Sequence, residues 1–311
     1  MSRIHEALKR AEQDKQAPQG GHAIEDQARS APENQKTNSD NEGQKGFAPS
    51  IPLAAKKDSV PKSLVMEELQ LKCRKPHWKP DPAFMVFSSS NSPVSGPEQF
   101  RTLRSRLYRI RETQPLKTVL ISSAVPAEGK TLVAANLAHA LVRQQGCRVL
   151  LVDADLRAPR VHMLLGAPSG PGLADYLQGG VSELDVIQRG FEEGFYFIPA
   201  GTHATHPSEL ISSGGMKELL ERAKPVFDWI IIDSSPVLPV SDATVLAGIS
   251  DGVLLVVRAN STPAETCRKA VREFQDAQIL GVVLNSADKH AEYGSYYASG
   301  GYGVAPTLKT N

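Results

Sequence analysis

Three short stretches carry side chains suited to handling phosphate. The first is Gly129-Lys130-Thr131, and the second is Asp153-Ala154-Asp155. The third is Asp233, which ends the apolar run Trp229-Ile230-Ile231-Ile232. A glycine turn that opens a helix points backbone N–H groups inward, and the positive helix N-terminus adds to their pull on an anion. A lysine at that place neutralises phosphate charge, and a threonine hydroxyl ligates magnesium. Carboxylates at a neighbouring strand edge complete a metal shell or accept a proton. Together the stretches predict a site for a nucleoside triphosphate, ATP, with Mg2+.

The first stretch follows G-x-x-x-x-G-K-[ST], with Ala124 at the first glycine position. Pro126, Ala127, Glu128, Gly129, Lys130, Thr131 and Leu132 are the residues expected to wrap the phosphates. Thr131, Asp155 and Asp233 are the expected metal ligands. Asp153 and Asp155 fall on the same side of an extended chain, because side chains alternate with a period of two. Either can take the proton, so Lys130, Asp153 and Asp155 are the catalytic candidates. Capping of a following helix is the bland alternative for both aspartates; beside a phosphate loop the functional reading is preferred. Asp242 is expected to cap its own helix. Asn285 ends the last apolar run, where an amide either meets an adenine ring or forms a turn.

These residues need strand ends to hold them. Apolar runs predict strands near 117–122, 148–153, 195–200, 228–233, 252–257 and 280–284. Helical patterns lie between them, near 130–145, 207–224, 241–248 and 262–277, and Gly96-Pro97-Glu98 opens another with Phe100, Leu103 and Leu107 on one side. Continuous rather than alternating apolar strands suit a mostly parallel sheet covered on both faces. The order predicts a doubly wound α/β domain of P-loop NTPase type, whose ligands sit at the C-terminal strand ends.

The flanks read differently. Residues 1 to about 15 suggest a short helix with Ile4, Ala7, Leu8 and Ala11 on one face, either a frayed end or a docking helix. Residues 16–62 are polar, with Phe47 as the sole aromatic, and predict a disordered linker. Between 63 and 93, LVMEELQLKC suits a short helix and KPHWKPDPAF an extended, proline-broken stretch. The expected division is 1–80 for helix and linker, 81–289 for the catalytic domain, and 290–311 for a flexible tyrosine-rich tail. The 311 residues carry a formal net charge of +1, which gives no general attraction to nucleic acid. The three cysteines are widely spaced, and no apolar run approaches a membrane span, so a reducing, cytoplasmic setting is expected.

With these residues assembled, the chain resembles the bacterial tyrosine kinases, P-loop autokinases of capsule and exopolysaccharide synthesis, over roughly residues 85–302. SSAVPAEGKT is similar to their Walker A motif, VLLVDADLRAPRVH to their A-prime motif, and DWIIIDSSPVLPVSDA to their Walker B region. Glu98, Arg101 and Arg104 match the E-x-x-R-x-x-R pattern used for ring assembly. Tyr293, Tyr296, Tyr297 and Tyr302, four of the seven tyrosines, resemble the tail cluster that is autophosphorylated. The resemblance implies a ring-shaped homo-oligomer that phosphorylates tails in trans. It also implies a separate membrane chain-length regulator that activates the kinase and recruits it to the inner face of the membrane. SRIHEALKRAE is similar to the start of kinases from exosortase-type loci. One departure stands out: Ala127 replaces a usual glycine, and alanine tolerates positive φ poorly.

Two other classes fit less well. Partitioning ATPases of the ParA/MinD kind carry a second lysine five residues before the loop lysine, and Val125 stands there. The second alternative, an inactive nucleotide-dependent scaffold, rests on the Ala127 departure alone.

Overall fold

The computed structural model describes residues 63–87 and 95–287. The expected N-terminal helix and linker and the tail with its four tyrosines lie outside the described residues. From the N-terminal side run α1 (Met66–Lys72), α2 (Ser95–Thr113), β1 (Thr118–Ser123), α3 (Lys130–Val142), β2 (Val149–Asp153), α4 (Val161–Leu165), α5 (Leu173–Leu177) and α6 (Glu183–Val186). Then follow β3 (Gln188–Arg189), β4 (Phe195–Ile198), α7 (Pro207–Ser212), α8 (Gly215–Ala223), β5 (Trp229–Asp233), α9 (Asp242–Ala247), β6 (Gly252–Arg258), α10 (Ala264–Glu273) and β7 (Ile279–Asn285).

The strands form one sheet in the order β3-β4-β2-β5-β1-β6-β7. Every pair is parallel except β3 with β4. Alternate residues feed two cores. Val119, Ile121, Leu151, Trp229 and Ile231 pack under α2 and α3 on one face. Leu120, Leu150, Val152, Ile230 and Ile232 pack under α8 and α9 on the other. Burial on both faces is why these strands read as unbroken apolar runs. Helix α3 is buried almost from end to end, which explains its apolar character all round.

This strand order positions the chemistry. β5 lies between β1 and β2, with Asp153 in register with Asp233, and Ile121 on β1 opposite Asp233 from the other side. The loop leaving β1 and both acidic strand ends therefore share one sheet edge, as the ligand crevice of an open α/β sheet requires.

Three expectations change. The helix near 207–224 is two helices, because Gly214 at φ 85° takes a left-handed turn between α7 and α8. Short helices α4, α5 and α6 and the two-residue β3 lack sequence patterns long enough to read. Residues 63–80, grouped with the linker by composition, pack on the domain instead. Leu64, Leu69, Cys73 and Trp78 are buried, and the Lys79 and Asp81 amides donate to the Gly166 and Leu164 carbonyls. Trp78 meets Phe191, Phe195 and Phe197 edge-on, with ring centroids 5.6 to 5.8 Å away. Trp78→Ala is accordingly expected to cost about 3–5 kcal/mol, the range for a deleted buried aromatic. A urea titration showing a loss below about 1 kcal/mol would mean this strap is dispensable.

Candidate active site

The loop from Ala124 to Gly129 is shaped from within. Ser123 Oγ donates to the Val125 carbonyl at 2.9 Å, and the Val125 amide donates to Glu128 Oε2 at 2.9 Å. Val237 and Leu238, beyond β5, donate their amides to the Ser123 and Ala124 carbonyls. Gly129 sits at φ 93°, and a β-carbon there would overlap the Asn285 amide. The left-handed conformation favours glycine here, and any β-carbon would also force the Asn285 amide off the loop.

Ala127 stands at φ 66°. The loop does need positive φ where the expected glycine is missing, and alanine adopts it under strain of about 1–2 kcal/mol. Glycine would remove that strain but give back part of the gain through its looser unfolded chain. Ala127→Gly is expected to raise Tm by about 1–3 °C and to tighten nucleotide binding. A fall in Tm on calorimetry would show that the alanine is unstrained.

Lys130 reaches back across the sheet edge. Its Nζ lies 2.7 Å from Asp155 Oδ2, 3.9 Å from Asp233 Oδ1 and 3.4 Å from Thr131 Oγ1. Asp153 and Asp233 are fully buried and Asp155 is nearly so. Burial lowers the lysine pKa, but Asp233, Asp155 and Asp153 outweigh it and hold the ammonium above its usual value. Burial raises Asp153 well above the ordinary carboxylate range, and Asp233 adds to the rise. Asp233 is raised too, first by burial, against the pull of Lys130 and Thr131.

The three carboxylates are bonded differently. Asp153 accepts the Asp155 amide at 3.3 Å and the Val161 amide at 3.1 Å, so it also steadies the start of α4. Asp155 accepts the Ala158 amide at 3.1 Å beside its bond to Lys130. Asp153 thus meets the first amide of α4 while Asp155 braces the turn at Ala158, and these backbone contacts coexist with convergence on Lys130. Asp233 differs: neither oxygen makes a hydrogen bond, although both are buried. An orphaned buried carboxylate beside a threonine hydroxyl, at the mouth of a phosphate loop, fits a divalent cation. Among the described residues no three His, Cys, Asp or Glu side chains form a cage of their own. Magnesium bound with phosphate oxygens and water needs no such cage.

Other expected residues are used differently. Asp242 does not cap α9; it is buried and accepts from Arg157 Nε at 2.8 Å and from the Ser208 hydroxyl. Asn285 Nδ2 donates one of its two N–H bonds to the Glu128 carbonyl at 2.9 Å, which ties the amide to the loop. Glu98 and Arg101 form an exposed pair at 3.0 Å. Arg104 turns inward and donates to the Ala140 carbonyl at 2.7 Å, satisfying one of the unpaired carbonyls in the last turn of α3. Sequence reasoning missed Ser123 and Thr262, which brace the loop, and Ser122 and Ser234, which tie β1 to the segment after β5. Isolated hydroxyls carry no readable pattern.

Residues 117–279 match a family described as an AAA domain. Tyrosine-protein kinase YwqD of Bacillus subtilis is 37% identical over 203 residues, which span 64% of this chain and 85% of that protein. The chain belongs to the bacterial tyrosine-protein kinase family. The succinoglycan biosynthesis transport protein ExoP of Rhizobium meliloti is 34% identical over 64% of this chain, but over only 26% of its own length. The chain thus spans most of the Bacillus relative and roughly a quarter of the Rhizobium one. The kinase domain of Escherichia coli tyrosine kinase ETK superposes with a TM-score of 0.63 at 30% identity, covering 81% of this chain and 95% of that structure. Among the described residues no helix is long and apolar enough to cross a membrane.

Proposed function

We propose that this protein is an ATP-dependent protein-tyrosine autokinase of exopolysaccharide or capsule synthesis. The observation that carries the reading is the convergence of Lys130, Asp153, Asp155 and Asp233 beside a closed phosphate loop. The tail hydroxyl oxygen attacks the γ-phosphorus of ATP, and its proton passes to Asp153. The bond from γ-phosphorus to the bridging oxygen breaks, and ADP leaves with that electron pair. The raised pKa of Asp153 suits it to take the proton. Lys130 leaves Asp155 to meet the phosphates. Thr131, Asp155 and Asp233 would hold magnesium, which spreads the phosphate charge when bound. Ala127 takes the conformation the loop needs, and that favours catalysis over the inactive-scaffold reading.

The acceptors in this reading are Tyr293, Tyr296, Tyr297 and Tyr302 of a neighbouring subunit in a ring. The other three tyrosines are poor candidates. Tyr196 is 4% exposed, Tyr108 packs edge-on to Trp229, and Tyr176 packs partly buried against the core. The Glu98–Arg101 pair is placed outward, where a subunit contact can use it, and a separate membrane chain-length regulator is the partner that would recruit the kinase to the inner face of the membrane. Changing the four tail tyrosines to phenylalanine should remove most phosphotyrosine while leaving MgATP binding unchanged. Phosphopeptide mapping that places the label on Tyr108, Tyr176 or Tyr196 would defeat the tail assignment.

A further inference from the structure

Glu128 immediately precedes the loop glycine, yet its carboxylate is turned into the protein and is 2% exposed. Oε2 accepts the Val125 amide, closing the loop over Pro126 and Ala127. Oε1 accepts the Thr262 hydroxyl and the Arg258 amide, the latter at 3.3 Å, in the connection from β6 to α10. Its carbonyl accepts Asn285 Nδ2 from the end of β7. One residue therefore ties together the C-terminal ends of β1, β6 and β7.

Among the described residues Glu128 makes no ion pair with Lys, Arg or His. A buried carboxylate without a cation is costly, and it is unexpected in a loop that must receive a polyanion. Its hydrogen bonds do something specific instead. The closure from Val125 to Glu128 leaves Ala127 at φ 66°, a strained conformation that persists only where its surroundings over-determine it. We propose that Glu128 is a positioning residue: a latch that fixes the loop amides for the triphosphate and couples the loop to Thr262 after β6. The proposal rests on the nucleotide reading above.

The test uses the full chain and titrates MgATP by calorimetry, with thermal denaturation of each nucleotide-free variant alongside. Glu128→Ala is expected to weaken MgATP binding by about tenfold or more, the effect of losing charge-assisted hydrogen bonds. Glu128→Gln keeps an oxygen for the Val125 amide and can donate to the Thr262 hydroxyl but turns its NH2 group against the Arg258 amide, so it should bind more weakly than wild type and at least about threefold more tightly than Glu128→Ala. Thr262→Val should weaken binding in the wild-type background and add little to Glu128→Ala, because coupled residues are non-additive. Wild-type affinity in Glu128→Ala would overturn the latch. So would equal losses in Glu128→Ala and Glu128→Gln together with strict additivity of Thr262→Val. Should Glu128→Ala fail to fold, Thr262→Val decides: weakened MgATP binding supports the latch, and wild-type affinity overturns it. Absence of MgATP binding by the wild-type chain would overturn the nucleotide reading itself, and the latch with it.

Discussion

Replacing Lys130 with methionine is expected to abolish phosphotyrosine formation and also to destabilise the nucleotide-free protein. The ammonium is the one cation within 4 Å of Asp155 and Asp233 among the ion pairs of the described residues, at 2.7 and 3.9 Å. Removing it leaves three buried carboxylates facing one another. Breaking a buried pair by deleting one partner typically costs about 3–5 kcal/mol. The loss has a pH signature. Asp153 and Asp233 already have raised folded-state pKa values, because burial disfavours their charged forms. A carboxylate with a raised folded pKa makes the folded state bind more protons than the unfolded one, so stability falls as pH rises through the folded value. Without Lys130 those values rise further. The methionine variant should therefore show its largest deficit near pH 8 and a smaller one near pH 5. Denaturant titrations at the two pH values check this, and a deficit that is equal at both would show that Lys130 does not hold the acidic cluster.

Much of this site was legible because its parts are tied to strand ends. The run Trp229 to Ile232 could be read as a strand covered on both faces, and Asp233 had to fall at its C-terminal end. The glycine-lysine-threonine turn lies between an apolar strand and an apolar helix, and it folds there. What the sequence concealed depends on contacts far apart in the chain. Glu128 finds Thr262 and Asp242 finds Arg157 across the sheet edge, and no local periodicity signals such pairs. Residues 63–80 were obscured for a related reason. Their prolines and charges suit a linker, yet a single tryptophan among three phenylalanines and a few backbone hydrogen bonds to α4 hold them down. Ala127 shows the same limit in conformation. Residue type argued against positive φ, and the closure around it decided otherwise.

Two isosteric substitutions at neighbouring aspartates should move stability in opposite directions. Asp233 is buried with both oxygens unbonded, and its charge stands next to Asp153 and Asp155. Asp233→Asn removes one negative charge from a cluster of three carboxylates and one lysine. One lysine, 2.7 Å from Asp155 and 3.9 Å from Asp233, serves three carboxylates, so replacing the more distant, incompletely compensated charge by a neutral group of the same shape is expected to gain about 1–2 kcal/mol without nucleotide, a Tm rise of several degrees at this chain size. The same change deletes the carboxylate assigned to magnesium, so tyrosine phosphorylation should fall by about 100-fold or more. Asp153 differs because its two oxygens accept the Asp155 and Val161 amides. An asparagine there must turn its NH2 group toward one of those donors, leaving a buried amide unpaired at a cost of about 1–3 kcal/mol. Asp153→Asn should therefore lower Tm while also depressing turnover. Melting curves of the two variants without nucleotide, set beside initial rates of phosphotyrosine formation, separate the cases. Were Asp233→Asn to melt lower than wild type yet retain its rate, Asp233 would be part of the packing of β5, and its place in the magnesium shell would have to be given up.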